Sequence, residues 1–426
     1  MGFSEPKSVE DPAIKMFRKM HYEVIDLFNE RFGPDNLLGR ETSSDVVLKR
    51  ILRQKLAEIN PSSSKQAVEL AIDELVKDRS SLSPVKANQE IYELLRNGIR
   101  ICATNDKREE VIERIQPIDW SKPEKNHFLL ASQMWVTGEL HNRRPDLVGF
   151  VNGLPLILFE LKKFTVNVKH AYDDNLSDYL DTIPHIFWYN AFVILSNGLQ
   201  SKIGTFSAPW EHFNEWKKIS DEEEKGKVSL DTIIKGTCEK SRFLDILENF
   251  ILYSEAQGKL SKIITKYHQY LGVNRAIGRF LQAKERKDGK IGVFWHTTGT
   301  GKSYSMIFFS NKIFRKIPGN YTFLIVTDRV DLDDQIYKNF EKTGAVTEPK
   351  VRAESIEDLK KLLREDHRHI FTLIHKFGEE RKGASDNGKN AVTREKFPLL
   401  SLRDDIIVIC DEAHRTQYGK LAKNMR

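Results

Sequence analysis

The chain contains two kinds of hydrophobic pattern. Across residues 8–100, apolar side chains recur at intervals of three and four with charged residues between them, as at 9–20 and 67–76, which is the spacing of helices with one buried face. From Phe128 onward, short apolar runs separated by turn residues such as Asn152-Gly153 replace this spacing, and such runs predict strands. The pattern therefore predicts helices packed around a mixed sheet that begins near Phe128.

The second half of the chain follows a different rhythm. Beyond a polar segment at residues 256–259, apolar runs that predict strands alternate with helical stretches, and this alternation is typical of a parallel, doubly wound sheet. The runs lie at residues 291–295, 321–326, 369–374 and 406–410. A polar stretch at residues 378–395 predicts a loop in this part. We therefore expect an α/β protein with one domain at residues 1–255 and a second at residues 256–426.

Composition narrows the class of protein. A chain of 426 residues with 40% hydrophobic and 30% charged residues is long enough for two or three globular cores, which excludes a fibre and extended disorder. Lysine and arginine exceed the acidic residues by a formal charge of +6, a mild excess that is compatible with nucleic-acid binding without establishing it. The three cysteines form no CxxC pair, and no apolar run approaches the ~20 residues of a membrane span. We therefore expect a cytoplasmic protein.

Three charged residues, Asp146, Glu160 and Lys162, lie on or beside very apolar predicted strands. Buried charge is costly, so its presence in a sheet needs a reason. Glu160 and Lys162 flank Leu161 and therefore share one face of an extended strand. Two carboxylates can hold Mg²⁺ beside a phosphate, while a lysine ammonium can orient the attacking water and stabilise negative charge. The chemistry implied is phosphodiester hydrolysis; an edge-strand ion pair, with Asp146 in a turn, is the simpler alternative.

The position of Asp146 depends on the register of the two predicted strands. Asp146 lies opposite Glu160 only if the connection has an odd length, such as residues 152–154. A two-residue Asn152-Gly153 turn would place Asp146 opposite Phe159 instead. The sequence alone leaves both registers open.

A glycine-rich segment, HTTGTGKS at residues 296–303, follows the predicted strand at 291–295 and opens an apolar helix. This is the context of a phosphate-binding loop, in which glycines let backbone N–H groups approach phosphate oxygens. The lysine of such a loop binds the β and γ phosphates of ATP, and the following serine can ligate Mg²⁺. The residues expected to bind the nucleotide are Thr298, Gly299, Thr300, Gly301, Lys302 and Ser303.

An acidic pair, Asp411 and Glu412, directly follows the predicted strand at residues 406–410. Two carboxylates then lie at the carboxyl end of a buried strand, which is where parallel sheets bind ligands. A solvated acidic turn is the alternative for such a pair alone. The phosphate-binding loop in the same domain favours a nucleotide site.

The pattern in the first domain resembles the PD-(D/E)xK nuclease family, with Pro145-Asp146 and Glu160-Leu161-Lys162 at the matching positions. This resemblance implies a mixed sheet with flanking helices, in which Asp146 and Glu160 bind Mg²⁺ and Lys162 is catalytic. Asn175 and Tyr179 resemble the QxxxY helix of one subtype of these nucleases, with Asn175 in place of the usual glutamine. The resemblance therefore adds Tyr179 to the expected catalytic residues.

Such nucleases often recruit one more acidic residue near the metal. Glu10 and Glu139 are the candidates in this sequence. A surface or capping role is the alternative for each of them.

The motifs of the second domain are similar to those of superfamily 2 helicases of the DEAH type, through TTGTGKS at residues 297–303 and DEAHRTQ at residues 411–417. The resemblance implies a RecA-like lobe that binds ATP and Mg²⁺, with Asp411 on the metal and Glu412 polarising the attacking water. It also implies that His414 couples nucleotide state to DNA contact. His296 stands where the strict loop motif has glycine.

Further positions of the second domain match weaker helicase motifs. Gln269 resembles the glutamine that recognises adenine, since its amide can donate to and accept from the base; an exposed helical glutamine is the alternative. Residues 327–329 and 375–376 occupy the places of DNA-contact motifs. Each could instead be a helix cap or a solvated basic group.

Both motif sets, in this order, resemble the restriction subunit of type I restriction-modification enzymes. The resemblance implies ATP-driven translocation on double-stranded DNA, Mg²⁺-dependent cleavage, and a prokaryotic complex with methyltransferase and specificity subunits. A helicase-nuclease of another defence or repair system and a non-catalytic DNA-binding or assembly fragment are the alternatives. Because the sequence ends at Arg426, soon after the DEAH box, we expect this chain alone to bind nucleotide weakly and not to translocate.

Overall fold

The computed structural model describes residues 7–33, 36, 38–104, 109–220, 224–295, 297, 299–377, 399 and 401–412. It divides into two compact units, Met1–Leu271 (unit 1) and Gly272–Arg426 (unit 2). This division lies later than the boundary predicted after residue 255. The reason is a β-hairpin at residues 251–264, which packs against a helix of unit 1 through a hydrogen bond from Lys262 Nζ to Asn88 Oδ1.

Unit 1 combines helices and strands. Its helices are α1 (Lys7–Lys19), α2 (Lys49–Ile59), α3 (Lys65–Val76), α4 (Pro84–Asn97), α5 (Ser177–Thr182), α6 (Leu230–Cys238) and α7 (Lys240–Asn249). Its strands are β1 (Glu23–Asp26), β2 (Ile99–Thr104), β3 (Glu110–Ile115), β4 (Phe128–Ser132), β5 (Val136–Thr137), β6 (Asn142–Arg143), β7 (Leu147–Val151), β8 (Leu154–Leu161), β9 (Phe192–Ser196), β10 (Ser201–Gly204), β11 (Ile251–Ala256) and β12 (Lys259–Ile264). Helix α8 (Tyr267–Arg286) contains the division between the units.

The starts of the early helices follow from local hydrogen bonding. The side chains of Ser64, Ser83 and Ser229 accept bonds from the backbone N–H groups of the first turns of α3, α4 and α6. Such caps satisfy donors that a helix cannot pair internally. Helices α3 and α4 then each bury one apolar face, as the spacing of three and four predicts.

A mixed six-stranded sheet forms the centre of unit 1, in the order β1-β4-β7-β8-β9-β10. The β1–β4 and β8–β9 pairs are parallel, and the other pairs are antiparallel. Every residue of β4, β7, β8 and β9 is buried. The mixed sheet predicted from Phe128 onward is therefore confirmed. β1 was not predicted. It has only four residues, too few for a periodic pattern of apolar side chains to be recognised, and it forms a strand through its pairing with β4.

Unit 2 contains a parallel sheet in the order β14-β13-β15. Its strands are β13 (Thr322–Thr327), β14 (His369–Leu373) and β15 (Ile406–Cys410), and its further helices are α9 (Lys302–Lys316), α10 (Val330–Lys342) and α11 (Ile356–Leu362). The parallel α/β arrangement and three of the four predicted strands are confirmed. The loop predicted at residues 378–395 lies outside the described residues.

The strand predicted at residues 291–295 is wrong. This segment pairs with no strand among the described residues, and Val293 and Trp295 are exposed at 85% and 84%. Phe294 packs instead against the bare backbone of Gly272, where an added Cβ would lie 2.1 Å from the ring. An apolar run forms a strand only when a neighbouring strand pairs with it. The β propensity of residues 291–295 alone therefore gave a wrong prediction.

None of the helices in the described ranges combines the length and the apolar character that crossing a membrane requires.

Candidate functional site

The hairpin of β7 and β8 carries the predicted acidic residues, and its turn has two residues. Val151 pairs with Leu154 across Asn152 and Gly153. These two residues have φ angles of 52° and 84°, the left-handed conformation of the tight turn that suits the twist of a hairpin. Asn152 also bonds the Pro117 carbonyl and Asn126 Oδ1 through its side-chain amide. By the turn alone, Asp146 would lie opposite Phe159.

A β-bulge opposite Gly149 and Phe150, three to four residues after Asp146 in the chain, corrects the register. Phe150 pairs with Pro155, but the next pair is Gly149 with Ile157, so Leu156 is an extra residue on β8. The Leu156 carbonyl is bonded by the backbone N–H of Ala191, which precedes β9, at 2.6 Å. A bulge of this kind adds one residue to one strand and shifts all later pairs.

The bulge brings the predicted nuclease residues together. Leu147 pairs with Phe159, so the preceding Asp146 lies opposite Glu160. Asp146 Oδ2 accepts a hydrogen bond from the Leu161 backbone N–H at 2.7 Å, and Lys162 Nζ lies 3.6 Å from Glu160 Oε1. The turn therefore has two residues, yet Asp146 lies opposite Glu160, the register that was expected only for a connection of odd length.

The helix that follows β8 supplies two more polar groups. Tyr179 OH donates to Glu160 Oε2 at 3.1 Å, and Lys162 Nζ donates to Asn175 Oδ1 at 2.5 Å. Residues Ala171–Leu176 form a π-helical turn before α5, and such wide turns displace the backbone outward and often occur at functional sites. Asn175 lies in this turn, so the shorter side chain still reaches Lys162.

Burial controls the electrostatics of the two carboxylates. Burial raises the pKa of Asp146 to about 6, against the opposing effect of the Leu161 N–H and the charges of Lys162 and Arg144. Burial, and then the neighbouring Asp146, raises the pKa of Glu160 well above its ordinary value. The buried carboxylate of Glu160 and the partly buried one of Asp146 thus share one ammonium group, and a divalent cation would relieve their mutual repulsion.

The donor set fits Mg²⁺. Mg²⁺ keeps several waters and commonly binds through one or two carboxylates, which is what Asp146 and Glu160 provide. Among the residues that the structure describes, no group of three or more His, Cys, Asp or Glu side chains is arranged to hold a metal. Among the described residues, Asp146 and Glu160 are thus a pair of potential metal ligands and not a closed cage.

The two further acidic candidates differ in position. Glu10 is buried at 7% exposure, and both its carboxylate oxygens lie 3.2 Å from Nε2 of Gln133. Burial raises the pKa of Glu10 to about 6, with Asp146 among the charges that contribute. The Gln133 backbone N–H donates to the Asp146 carbonyl at 3.0 Å, which links Glu10 to this site. Glu139, in contrast, is exposed.

Gln133 and Arg144 were missed from the sequence. Gln133 has a φ of 56°, unusual for a residue with a side chain, and no sequence pattern reports this. Arg144 is part of the RRPD segment, but its contact with Phe28, more than a hundred residues earlier in the chain, could not be inferred from the sequence. Its partner in that segment, Arg143, forms an ion pair with Asp178 of the helix α5.

The phosphate-binding loop of unit 2 leads into α9 at Lys302. Gly301 precedes the helix with φ 95° and ψ 45°, a left-handed conformation that favours glycine. Gly299 also has positive φ, and the Thr300 N–H and hydroxyl both donate to the Thr297 carbonyl. Ser303 is the second residue of α9. Thr298 and His296 lie outside the described residues.

The loop lysine reaches the acidic pair at the end of β15. Lys302 Nζ lies 2.8 Å from Glu412 Oε1 and 3.7 Å from Asp411 Oδ1. The hydrogen bond to Glu412 raises the pKa of Lys302. The Asp411 N–H donates to the Val326 carbonyl at 2.9 Å, so the pair is held at the carboxyl ends of parallel strands, where such sheets bind ligands.

Gln269, predicted to recognise adenine, forms a hydrogen bond at the start of its own helix. Gln269 is buried at 3% exposure, and its Oε1 accepts from the Lys266 N–H at 2.8 Å, the geometry of a residue that caps the start of its own helix. It lies in unit 1, whereas the loop lies in unit 2. His414 lies outside the described residues.

The two weaker DNA-contact motifs are placed at a strand end and in a short turn. Thr327 ends β13 and is fully buried, and Arg329 precedes α10, 3.8 Å from Asp328. His375 and Lys376 lie in a 3₁₀ turn after β14, where Lys376 donates to the Glu354 carbonyl.

Comparison with known proteins gives two family matches that together span most of the chain. Residues 2–212 match the type I restriction enzyme R protein N terminus, and residues 268–426 match the SWI2/SNF2 ATPase. The chain is 33% identical over 411 residues to the type I restriction enzyme HindI endonuclease subunit of Haemophilus influenzae, covering 91% of this chain and 37% of that protein.

The chain belongs to the family of type I restriction enzyme endonuclease subunits. It is also 31% identical over 458 residues to the putative MjaIXP endonuclease subunit of Methanocaldococcus jannaschii, covering 99% of this chain and 41% of that protein. An endonuclease subunit of Staphylococcus aureus is 21% identical over 426 residues. The chain spans about two fifths of the length of these restriction subunits.

Proposed function

We propose that unit 1 is a Mg²⁺-dependent DNA nuclease of the PD-(D/E)xK type. The observation that carries this proposal is the β-bulge at Leu156, which aligns Asp146 with Glu160 and Lys162 although the turn alone would separate them. Placing two carboxylates and a lysine together in a buried sheet has an energetic cost. Phosphodiester hydrolysis is the reaction that these three groups serve best.

Each side chain has a distinct part in this reaction. Asp146 and Glu160 would hold the metal, which supplies Lewis-acid stabilisation of the phosphate and of the attacking oxygen when it is bound. Lys162 is held by Asn175 and Glu160 with its ammonium beside the carboxylates, so it can orient the attacking water and stabilise charge on the phosphate. Tyr179 donates to Glu160 and fixes the direction of that carboxylate.

Unit 2 is proposed as a RecA-like lobe that binds ATP with Mg²⁺. The loop from Gly299 to Gly301 leads directly into the start of α9, and anions are favoured at the start of a helix. Lys302 and Ser303 would bind the phosphates and the metal, with Asp411 as a further metal ligand. Glu412 would polarise the attacking water. The contact of Lys302 with both acidic residues supports a shared site.

The assembly proposed for the protein follows from its family. The relatives are named as endonuclease subunits of type I restriction enzymes, and we infer that the protein acts on double-stranded DNA in an ATP-dependent restriction complex. Translocation by the motor, and partnership with methyltransferase and specificity subunits, are part of this proposal.

Nicking of supercoiled plasmid by the purified chain in Mg²⁺ tests the nuclease proposal. Asp146→Asn and Lys162→Met should each lower the rate by ~100-fold or more, since loss of about 3 kcal/mol of transition-state stabilisation has that effect. Asp181→Ala changes an exposed carboxylate on the neighbouring helix and should leave the rate unchanged. Equal nicking by all four proteins, or nicking that persists in excess chelator, would contradict the proposal.

A further inference from the structure

Arg144 occupies a position between two aromatic rings beside the proposed nuclease site. Its guanidinium carbon lies 4.8 Å from the centre of the Phe28 ring and 5.0 Å from that of Trp135. Arginine stacks on aromatic faces through its planar cation. The following Pro145 favours extended backbone at Arg144. Two residues later the chain reaches Asp146.

The aromatic partners are themselves fixed. Trp135 Nε1 donates to the Phe28 carbonyl at 3.3 Å, and the Phe28 N–H donates to Asp26 Oδ1 at 2.9 Å. Leu27, immediately before, donates from its backbone to the Ser132 carbonyl at the end of β4. The residue before Phe28 is therefore bonded to the end of β4, and Trp135 is bonded to Phe28.

A buried ion pair, Arg40 with Glu30, holds the backbone at Trp135. Arg40 is fully buried and pairs with Glu30, and its Nη2 donates to the carbonyls of Trp135 at 2.6 Å and Ser43 at 3.0 Å. Residues that carry many bonds to carbonyls hold a loop in one conformation. The stack on Arg144 is thus built on a rigid support, which lowers the entropy cost of binding a ligand there.

The guanidinium N–H groups of Arg144 differ from those of Arg143 in their hydrogen bonding. Among the described residues, no carboxylate or carbonyl accepts a bond from its guanidinium, although five N–H donors are present. The adjacent Arg143 differs completely, because its guanidinium bonds both carboxylate oxygens of Asp178. Arg143 is therefore held in an ion pair, whereas the partly exposed Arg144, two residues before Asp146, has donors without an acceptor among the described residues.

We propose that Arg144 is a DNA-positioning residue that binds a backbone phosphate next to the scissile bond. Its guanidinium lies over the rings of Phe28 and Trp135, and its N–H donors, which no described residue accepts from, match two oxygens of a phosphate. The inference rests on the proposed nuclease function of unit 1.

A phosphate is a better partner for this edge than a base or a peptide carboxylate. The neighbouring Asp146, Glu160 and Glu10 make the site acidic, so DNA needs a fixed cation here to offset repulsion. Phosphate contacts position a duplex without reading its sequence. Half of the Phe28 surface is exposed, which leaves room for the sugar-phosphate chain beside the stack.

Binding of a fluorescent 30-base-pair duplex to the full chain, in EDTA so that no cleavage occurs, tests this assignment. The dissociation constant is measured by anisotropy over a series of salt concentrations for the wild type, Arg144→Ala, Arg144→Lys and Phe28→Leu. Each phosphate contact contributes about 0.9 to the slope of log affinity against log salt. Arg53→Ala is the control, since Arg53 is an exposed arginine on α2 that pairs with Glu69.

The expected result is a slope smaller by about 0.9 in Arg144→Ala and an affinity lower by about 10-fold, the usual effect of one charge-assisted bond. Arg144→Lys should keep the slope, because the charge remains, but bind more weakly because the stack is lost. Phe28→Leu should weaken binding without changing the slope. Arg53→Ala should match the wild type, and thermal unfolding of all variants should be unchanged.

Two results would overturn the assignment. An unchanged slope in Arg144→Ala, with wild-type DNA binding intact, would show that Arg144 contacts no phosphate. A weaker affinity that varies with duplex sequence at constant slope would show a base contact instead. Absence of duplex binding by the wild type is a different failure, because it removes the proposed DNA function itself and not only the role of Arg144.

Discussion

Lys262 offers a sharp test of the packing of unit 1. It is 3% exposed on β12, and burial lowers its pKa well below the ordinary value. Nζ donates to Asn88 Oδ1 at 2.8 Å and to the Asn190 carbonyl, and the rings of Tyr253 and Phe206 lie 5.8 Å and 6.0 Å away. Among the described residues, Lys262 has no acidic partner, so the folded chain disfavours its protonated form.

The sign of the pH dependence follows from this lowered pKa. The unfolded chain binds a proton at Lys262 more readily than the folded chain, so the free energy of unfolding rises with pH between the folded and the unfolded pKa. The slope reaches about 1.4 kcal/mol per pH unit for one group. Stability from this group is therefore full above the unfolded pKa and is lost as pH falls through the folded pKa.

Lys262→Met removes this titration at a small structural cost. Asn88 Oδ1 keeps its bond from Tyr253, and the Asn190 carbonyl keeps its bond from the Asn88 amide, so no acceptor is left without a donor. Two hydrogen bonds contribute about 1–3 kcal/mol, whereas burying an unpaired ammonium costs several. We expect Lys262→Met to be at least as stable as the wild type at pH 7, and this advantage to shrink as pH rises.

Urea unfolding followed by tryptophan fluorescence at several pH values between 7 and 9.5 measures this effect. Five of the six tryptophans lie in unit 1, so the signal reports mainly on that unit. Taking the difference between wild type and Lys262→Met cancels the titration of other buried groups such as Cys238. Lys259→Met, at the exposed start of the same strand, is the matched control. A difference that is constant with pH, or that favours Lys262→Met more at high pH, would refute the reasoning.

Three further results are expected. Asn88→Ala should lower the free energy of unfolding by about 3–5 kcal/mol in the same assay, because the two N–H groups of its amide are shared among the carbonyls of Phe187, Trp188 and Asn190; a loss below 1 kcal/mol would contradict this. Glu10→Gln should raise the Mg²⁺ concentration for half-maximal plasmid nicking, with Glu139→Gln as the unchanged control. Lys302→Ala should weaken binding of a fluorescent ATP analogue by more than tenfold, and unchanged binding would remove Lys302 from the nucleotide site.

The sequence predicted the elements of the candidate sites better than their geometry. Charged residues on apolar strands identified Asp146, Glu160 and Lys162. Their register could not be predicted, because it depends on a bulge at Leu156 and no residue type there indicates a bulge. The segment at 291–295 had the composition of a strand, but no strand in the described part of the chain pairs with it. Secondary structure that depends on distant neighbours cannot be read from a local pattern.

Long-range contacts limited the prediction in a second way. Arg144 and Arg143 are identical neighbours in the sequence, yet one meets aromatic rings and the other an aspartate. Asn175 departed from the expected glutamine, and only the π-helical turn explains how it reaches Lys162. Residue type indicated which chemistry was available, while the folded backbone decided which side chains could take part.

The bulge at Leu156 also constrains how this hairpin can change in evolution. A turn longer by one residue, combined with deletion of Leu156, would produce the same pairing of Gly149 with Ile157 and keep Asp146 opposite Glu160. Either change alone would separate the two acids or distort the strand. Insertions in the turn and deletions in β8 are therefore expected to occur as compensating pairs among relatives, so that the number of residues between the two acids stays constant while the loop varies.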